Sequence, residues 1–267
     1  MSLNFISDAD FKEHIRETIL QYGERLQSYD LEKLNSNIID PIKLLFDKNV
    51  YGSTWEEIVQ SEIFRQRDKS NNNSIGYFHQ NIFRYIAGCT VPKSGWDVVF
   101  KKNGGIELDG DKVGTVYVEM KNKHNTMNSS ASAKTFMKMQ GQLLRDNNCA
   151  CCLVEVIAKK SQNIPWAISL DGQRQQHRRI RRVSIDKFYE LVTGEEDAFY
   201  KMCMALPAAV KELLEEADTF KVPADTAFIE LKEKAADTSF ELALFMLGFE
   251  TYSGFKEKFF GRRNDVS

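Results

Sequence analysis

The sequence predicts an α/β fold, with a mixed β-sheet in the middle of the chain and helical segments before and after it. Three observations carry this. Apolar residues recur at helical spacing in the first third, the pattern changes to period two between about Trp96 and Lys123, and helical patterning returns from Ser184 onward. A chain of 267 residues, 42% hydrophobic and 28% charged, has the composition of a globular protein. At that length it can bury roughly three-quarters of the surface it exposes when unfolded. One domain is the default expectation, with a helical part over 1–90, a sheet core over 91–186 and a second helical part over 187–267.

Two capping boxes open the first helices, Ser7 with Asp10 and Thr54 with Glu57. Phe11, Ile15, Ile19, Tyr22 and Leu26 follow the first at core-facing spacing. The polar run 68–74 (DKSNNNS) predicts an exposed loop between a helix over 55–67 and another over about 75–87. Residues 96–101 (WDVVFK), 106–108 and 113–123 read as three strands of an antiparallel meander, punctuated by turns at Asn103-Gly104-Gly105 and Asp109-Gly110-Asp111. A helix over about 130–145 carries Phe136, Met139 and Leu143 on one face, and 151–158 and 166–170 are short apolar strands. Beyond these, Asp186 caps a helix over 187–192 that Gly194 ends. Residues 195–206 run up to Pro207, and further helices cover 208–217 and 239–247.

The net charge is −2, but it is unevenly spread. Residues 93–187 hold 17 Lys and Arg against 9 Asp and Glu, a net of +8, which leaves 19 against 29, or −10, elsewhere. The middle of the chain is thus the part suited to a polyanion. No apolar run approaches the ~18 residues of a membrane span, and the first ten residues lack a signal-peptide pattern, so a cytoplasmic protein is expected. The five cysteines do not form a secreted disulfide framework. The cluster Cys149-Ala150-Cys151-Cys152 has no second Cys/His pair at zinc spacing and reads as a buried strand.

Chemistry concentrates on the last meander strand. Val116, Val118 and Met120 alternate with Tyr117, Glu119 and Lys121, so Glu119 and Lys121 share a face opposite the apolar one. Asp97 opens the first meander strand, and antiparallel pairing can bring it beside them. Two carboxylates suit a hard cation such as Mg²⁺, which takes oxygen ligands and leaves room for water and phosphate. An ammonium beside them can orient or acidify the attacking water. His124 follows the strand, but a lysine-assisted reaction needs no histidine base, so it reads as a hydrogen-bonding or phosphate contact.

These residues resemble the PD-(D/E)xK nuclease superfamily, home of most type II restriction endonucleases. Residues 119–128 (EMKNKHNTMN), Gly95-Trp96-Asp97, 75–80 (IGYFHQ) and 188–194 (FYELVTG) are similar to restriction enzymes that cut GGNCC- and GGWCC-type sites. The likeness spans about 75–207, and Trp96 stands where the superfamily name has proline. The resemblance implies a restriction-endonuclease-like core and Mg²⁺-dependent hydrolysis of double-stranded DNA at a short palindrome, leaving a 5′-phosphate and a 3′-hydroxyl. It also implies a homodimer and a cognate DNA methyltransferase as genetic partner. Asp97, Glu119 and the carbonyl of Met120 would hold the metal and Lys121 would act on the water. A further acidic ligand found upstream in some relatives has no clear match, Glu62 and Gln80 being the candidates.

DNA contacts are expected from Lys123, His124, Asn125 and Ser129 just after the strand. Arg174, Arg178, Arg179, Arg181 and Arg182 (RQQHRRIRR) read either as further DNA contacts or as a solvated edge strand. Two other functions stay open: a structure-specific repair or recombination nuclease of the same superfamily, and a non-catalytic DNA-binding regulator. Against the second, pure binding gives no reason to set two carboxylates against phosphates.

Overall fold

The computed structural model describes residues 3–24, 27–124, 126–170, 172–216, 224–236, 238–249 and 252. Its elements run α1 (Asp8–Glu24), α2 (Leu31–Ser36), α3 (Pro41–Tyr51), α4 (Trp55–Asn81), β1 (Cys89–Thr90), β2 (Val98–Leu108), β3 (Asp111–Lys123), α5 (Ser129–Arg145), β4 (Cys149–Ile157), β5 (Asn163–Leu170), β6 (Gln173–Ser184), α6 (Ile185–Thr193), α7 (Ala198–Glu216), α8 (Ala227–Lys234) and α9 (Phe240–Gly248). The chain forms two compact units, one from residues 1–20 with 74–218 and the other from 21–73 with 219–267.

The first unit is built on a six-stranded mixed sheet of order β1-β2-β3-β4-β6-β5. β1, β2 and β3 are antiparallel neighbours, β3, β4 and β6 run parallel, and β5 returns antiparallel to β6. Parallel strands are normally covered on both faces, and the sequence of β4 follows that rule: Cys149 to Val154 are all fully buried. One face, with Val116, Val118, Ala150, Cys152 and Val154, packs in the cluster that includes Phe83, Phe188 and Tyr189. The other, with Cys151, Leu153 and Ile180, lies with Phe136 and Met139 of α5. The face that carries Glu119 and Lys121 is therefore covered too. Burial pushes the Cys89 and Cys152 thiols up to about 12, which makes them packing groups and not nucleophiles.

The second unit packs Leu31, Leu34, Leu44, Val59 and Ile63 against Leu231, Leu244 and Leu247, with Trp55 stacked on Phe240 at 4.9 Å between ring centroids.

Thr54 and Glu57 form the expected capping box, exchanging bonds of 2.8 and 3.2 Å; at the first helix the Asp10 N–H donates to Ser7 Oγ at 3.1 Å, and the Ser7 hydroxyl donates to the Asp10 carboxylate at 2.6 Å. Four expectations are corrected. Residues 68–74 are helix, since α4 continues for 27 residues; the run itself holds neither proline nor glycine, Asn72 bonds back to Asp68, and Ser74 turns inward. Asn103-Gly104-Gly105 bulges within β2 and does not turn the chain: pairing shifts so that five steps on β2, from Lys101 to Ile106, match two on β3. Gly104 and Gly105 take φ of +86° and +89°, the same freedom that a turn would need. The third meander strand is thus β1, and one two-residue turn, Asp109-Gly110 with φ of +50° and +79°, joins β2 to β3. Pro207 lies inside α7, so the two helices expected around it are one. Ser184, not Asp186, is the N-cap residue of α6, while Gly194 ends it in the left-handed conformation as expected.

Two histidines of the first unit have a consequence for acid stability. His14 is 1% exposed, stacked on Phe78, with its Nε2 2.9 Å from the Phe78 carbonyl. Burial lowers both His14 and His79 to about 4; the Phe78 carbonyl opposes this at His14, and the charge of Arg84 there and of His14 at His79 adds to it. Between pH 6.5 and 4 the unfolded chain takes up protons that the folded chain refuses. The stability these rings confer is therefore complete above pH 6.5 and falls as the pH drops to 4, by up to about 3 kcal/mol per ring. Urea unfolding at pH 7 and pH 4.5 checks this, and a His14→Phe chain should lose part of the difference. An equal pH dependence in that variant would refute it.

Candidate active site

β3 carries the site because strand alternation sends Val116 and Val118 to one face and Glu119 and Lys121 to the other. The two charged residues face α5 across a cavity, with side-chain exposures of 17% and 30%. Met120 packs against the opposite core, as its alternation requires. Asp97 precedes β2, and the register Val98↔Val118 carries it to the side of Met120. Its N–H donates to the Val118 carbonyl at 2.9 Å, and its Oδ2 accepts the Met120 N–H at 2.6 Å. Gln80, in the last turn of α4, donates to the Asp97 carbonyl at 3.1 Å. Asp97, Glu119, Met120 and Lys121 are thereby brought together by backbone pairing.

Glu119 is the hub. Lys121 donates to its Oε1 at 2.8 Å and Lys138 of α5 donates to its Oε2 at 2.7 Å. Burial pushes the Glu119 carboxyl up, but these hydrogen bonds and charges outweigh it and hold the group below its ordinary value. Asp97 behaves oppposite in sign: burial raises it, the Met120 N–H works against that, and the nearby Glu119 charge raises it further. Two carboxylates that repel each other in a partly desolvated place form a set that a cation would relieve. A cavity of about 540 Å³ adjoins Glu119 and Lys121 and is lined also by Thr126, Lys134, Thr135 and Lys138 among others; Asp97 stands outside its lining. Among the described residues no three His, Cys, Asp or Glu side chains group to hold a metal. A cation here would take two carboxylates and complete its shell from backbone, water and substrate, which is how Mg²⁺ commonly binds.

The other expected residues divide by place. Lys123 is exposed at the end of β3, and His124 begins the turn that follows, its N–H bonded to the Ile157 carbonyl. Ser129 is the first residue of α5, but Asn128 caps that helix by accepting the Ala131 N–H at 2.8 Å. Asn125 lies outside the described residues. Glu62 belongs to the second unit and is engaged by Arg65 and Gln66.

The arginines lie on β6, between β4 and β5 in the sheet order, but β4 pairs only with residues 180–184. Arg174, Arg178 and Arg179 therefore lie on the solvated part of the strand that β4 leaves uncovered, as the edge-strand reading expects, and Arg181 and Arg182 lie within the sheet. Arg178 and Arg179 meet Asp111 at 2.8 and 3.3 Å, at the start of β3. Eight residues of strand separate Asp111 from Glu119, roughly 26 Å. Arg181 is 1% exposed and bonds Asn163 and Asp109. Arg174 is exposed beside Gln176. Only Arg182 reaches the site's end of the sheet, where it holds buried Glu155 through two hydrogen bonds and donates to the His124 carbonyl at 3.1 Å.

Sequence reasoning missed Lys138, Glu155 and Asn128. A signal for the first was present: Ala131, Lys134, Thr135 and Lys138 recur at i, i+3, i+4 and i+7, and all four line the cavity.

A mixed sheet whose antiparallel meander leads into parallel strands, with helices on both faces, is a restriction-endonuclease-like fold. The model of the Eco47II restriction endonuclease family matches residues 3–215, a span that includes every strand of the sheet. The type II restriction enzyme Sau96I of Staphylococcus aureus is 31% identical over 241 residues, covering 87% of this chain and 89% of its own. The type II restriction enzyme Eco47II of Escherichia coli is 29% identical over 240 residues, covering 85% and 96%. The chain belongs to the Eco47II restriction endonuclease family and is a type II restriction endonuclease.

Proposed function

We propose that the chain hydrolyses both strands of double-stranded DNA at a short palindrome of the GGNCC or GGWCC kind, with Mg²⁺ at Asp97 and Glu119. The observation that carries this is the Asp97 carboxylate held at the Met120 N–H next to Glu119, which with Lys121 lines an open cavity. A residue in a strand points its N–H and C=O to the same edge, so the Met120 carbonyl shares the edge that Asp97 approaches and serves as a third ligand. When bound, the ion supplies Lewis acidity at the scissile phosphate. Lys121 orients the attacking water and offsets charge as the phosphorus becomes five-coordinate, and the products carry 5′-phosphate and 3′-hydroxyl ends.

Lys123, His124, Asn125 and Ser129 follow the catalytic strand and serve as phosphate or base contacts next to the cut. Arg174, Arg178 and Arg179 serve as a separate contact toward the other end of β3. Arg181 and Arg182 support the protein from within, since their guanidinium groups are committed to Asp109 and Glu155. A two-fold protein matches a palindromic site, so the working form is a homodimer, one site per strand. A cognate methyltransferase protects the host genome, and both work in the cytoplasm; among the described residues no helix is long and apolar enough to cross a membrane.

Incubating plasmid with the protein and Mg²⁺, then sequencing the cut ends, tests the reading. Discrete fragments ending at one palindrome are expected. Smearing or cutting only at junctions would favour a structure-specific nuclease, and shifted but intact DNA a regulator.

A further inference from the structure

Glu119 has more positive charge around it than one carboxylate needs. Lys121 holds Oε1 at 2.8 Å, and Lys138 occupies Oε2 at 2.7 Å, reaching from a different element with a side chain 38% exposed. The Lys138 ammonium is held on two further sides: it donates to the Gly95 carbonyl at 2.5 Å and stands 4.2 Å from the centroid of the Trp96 ring. It is thus seated on the two residues that precede Asp97 and on the carboxylate of Glu119. A lysine that merely decorated the surface would gain little from such a pair and would pay side-chain entropy to hold it. The charged lining of the adjoining cavity is Glu119 against Lys121, Lys134 and Lys138, a surplus of positive charge that suits a phosphate and disfavours a cation.

We propose that Lys138 is a positioning residue that acts as the built-in counter-ion of the metal site, holding Glu119 Oε2 until a divalent cation displaces it. The inference rests on Asp97 and Glu119 being the metal ligands. Its ammonium holds Glu119 Oε2 in the cation-free protein, and it raises the cation concentration needed to fill the site. Trp96 reports the exchange, because the ring loses its cation when Lys138 leaves.

The sign of the effect separates this role from a structural one. If Lys138 only held the fold together, its loss would loosen the carboxylates and weaken cation binding. As a competitor for Oε2, its loss strengthens binding. Titrating the full-length protein with Mn²⁺ in the absence of DNA, by calorimetry and by tryptophan fluorescence, reads the affinity directly. We expect Lys138→Gln to bind Mn²⁺ roughly tenfold more tightly, the scale of removing one like charge a few ångströms from the site, and Lys138→Arg to stay near the wild type. Mn²⁺ should change the tryptophan emission of the wild type and not that of Lys138→Gln. Equal or weaker affinity in Lys138→Gln overturns the inference while leaving the metal site standing. If Mn²⁺ binding is indifferent to Glu119→Gln in the wild-type background, the metal site itself is wrong, and the inference falls with it.

Discussion

Replacing Lys121 by alanine is expected to lower the rate of plasmid cutting by about 10²–10³-fold, the loss typical of removing one preorganised charge from a transition state. Binding of duplex DNA should change by no more than a few-fold. The asymmetry follows from position: Lys121 is 30% exposed at the end of β3, bonded to Glu119 and not directed outward as Lys123 is. Its removal leaves Glu119 with Lys138, so the carboxylate stays ionised and the fold keeps its register. Rate constants from single-turnover digestion, with duplex binding measured by gel shift in Ca²⁺, separate the two effects. Residual cutting within tenfold of the wild type would remove Lys121 from the chemistry.

The placement of Lys121 beside Glu119 is legible almost entirely in the sequence, because strand alternation is local. The pattern Val116, Val118, Met120 against Glu119 and Lys121 needs only a period of two, and the capping boxes at Ser7 and Thr54 need only three residues. The approach of Asp97 depended on something less local, the register between β2 and β3. The meander supplied the right neighbours although its strands were divided differently. Asn103-Gly104-Gly105 signals a change of direction or a bulge equally well, because both use positive φ, and only the pairing of the flanking residues decides.

Composition misled more where it stood in for geometry. The polar run at 68–74 lacks apolar spacing, yet nothing in it forbids a helix already under way in α4. The arginine cluster reads as one basic patch along the chain, but as a strand its side chains alternate and its length spreads them across the sheet. Arg178 and Arg179 consequently answer Asp111 at one end, and Arg182 answers Glu155 at the other. For Lys138 the spacing marked the helix face but not the partner, which lies 19 residues back on another element; only the seating of α5 over the sheet brings them together.

The pairing of β4 with β6 makes Arg182 the second residue whose loss has a large expected effect. Glu155 is 1% exposed, and Arg182 forms a two-point pair with it, using Nε at 2.9 Å and Nη2 at 2.5 Å. Arg182→Ala strands a buried carboxylate and is expected to cost about 3–5 kcal/mol of stability, read as a lower urea midpoint at unchanged slope. A loss below about 1 kcal/mol would mean that Glu155 finds water or another cation. Removing both charges, in Glu155→Leu with Arg182→Met, should restore most of the stability, since an apolar pair avoids the desolvation that the ion pair must overcome. Cutting should not recover with it. Arg182 also donates to the His124 carbonyl, fixing the turn directly after Lys121 and Lys123, and neither leucine nor methionine can replace that bond. A double variant that is stable yet slow, with KM for DNA raised less than kcat is lowered, would mark Arg182 as a residue that positions the end of the catalytic strand. Full recovery of kcat would reduce its part to holding the sheet together.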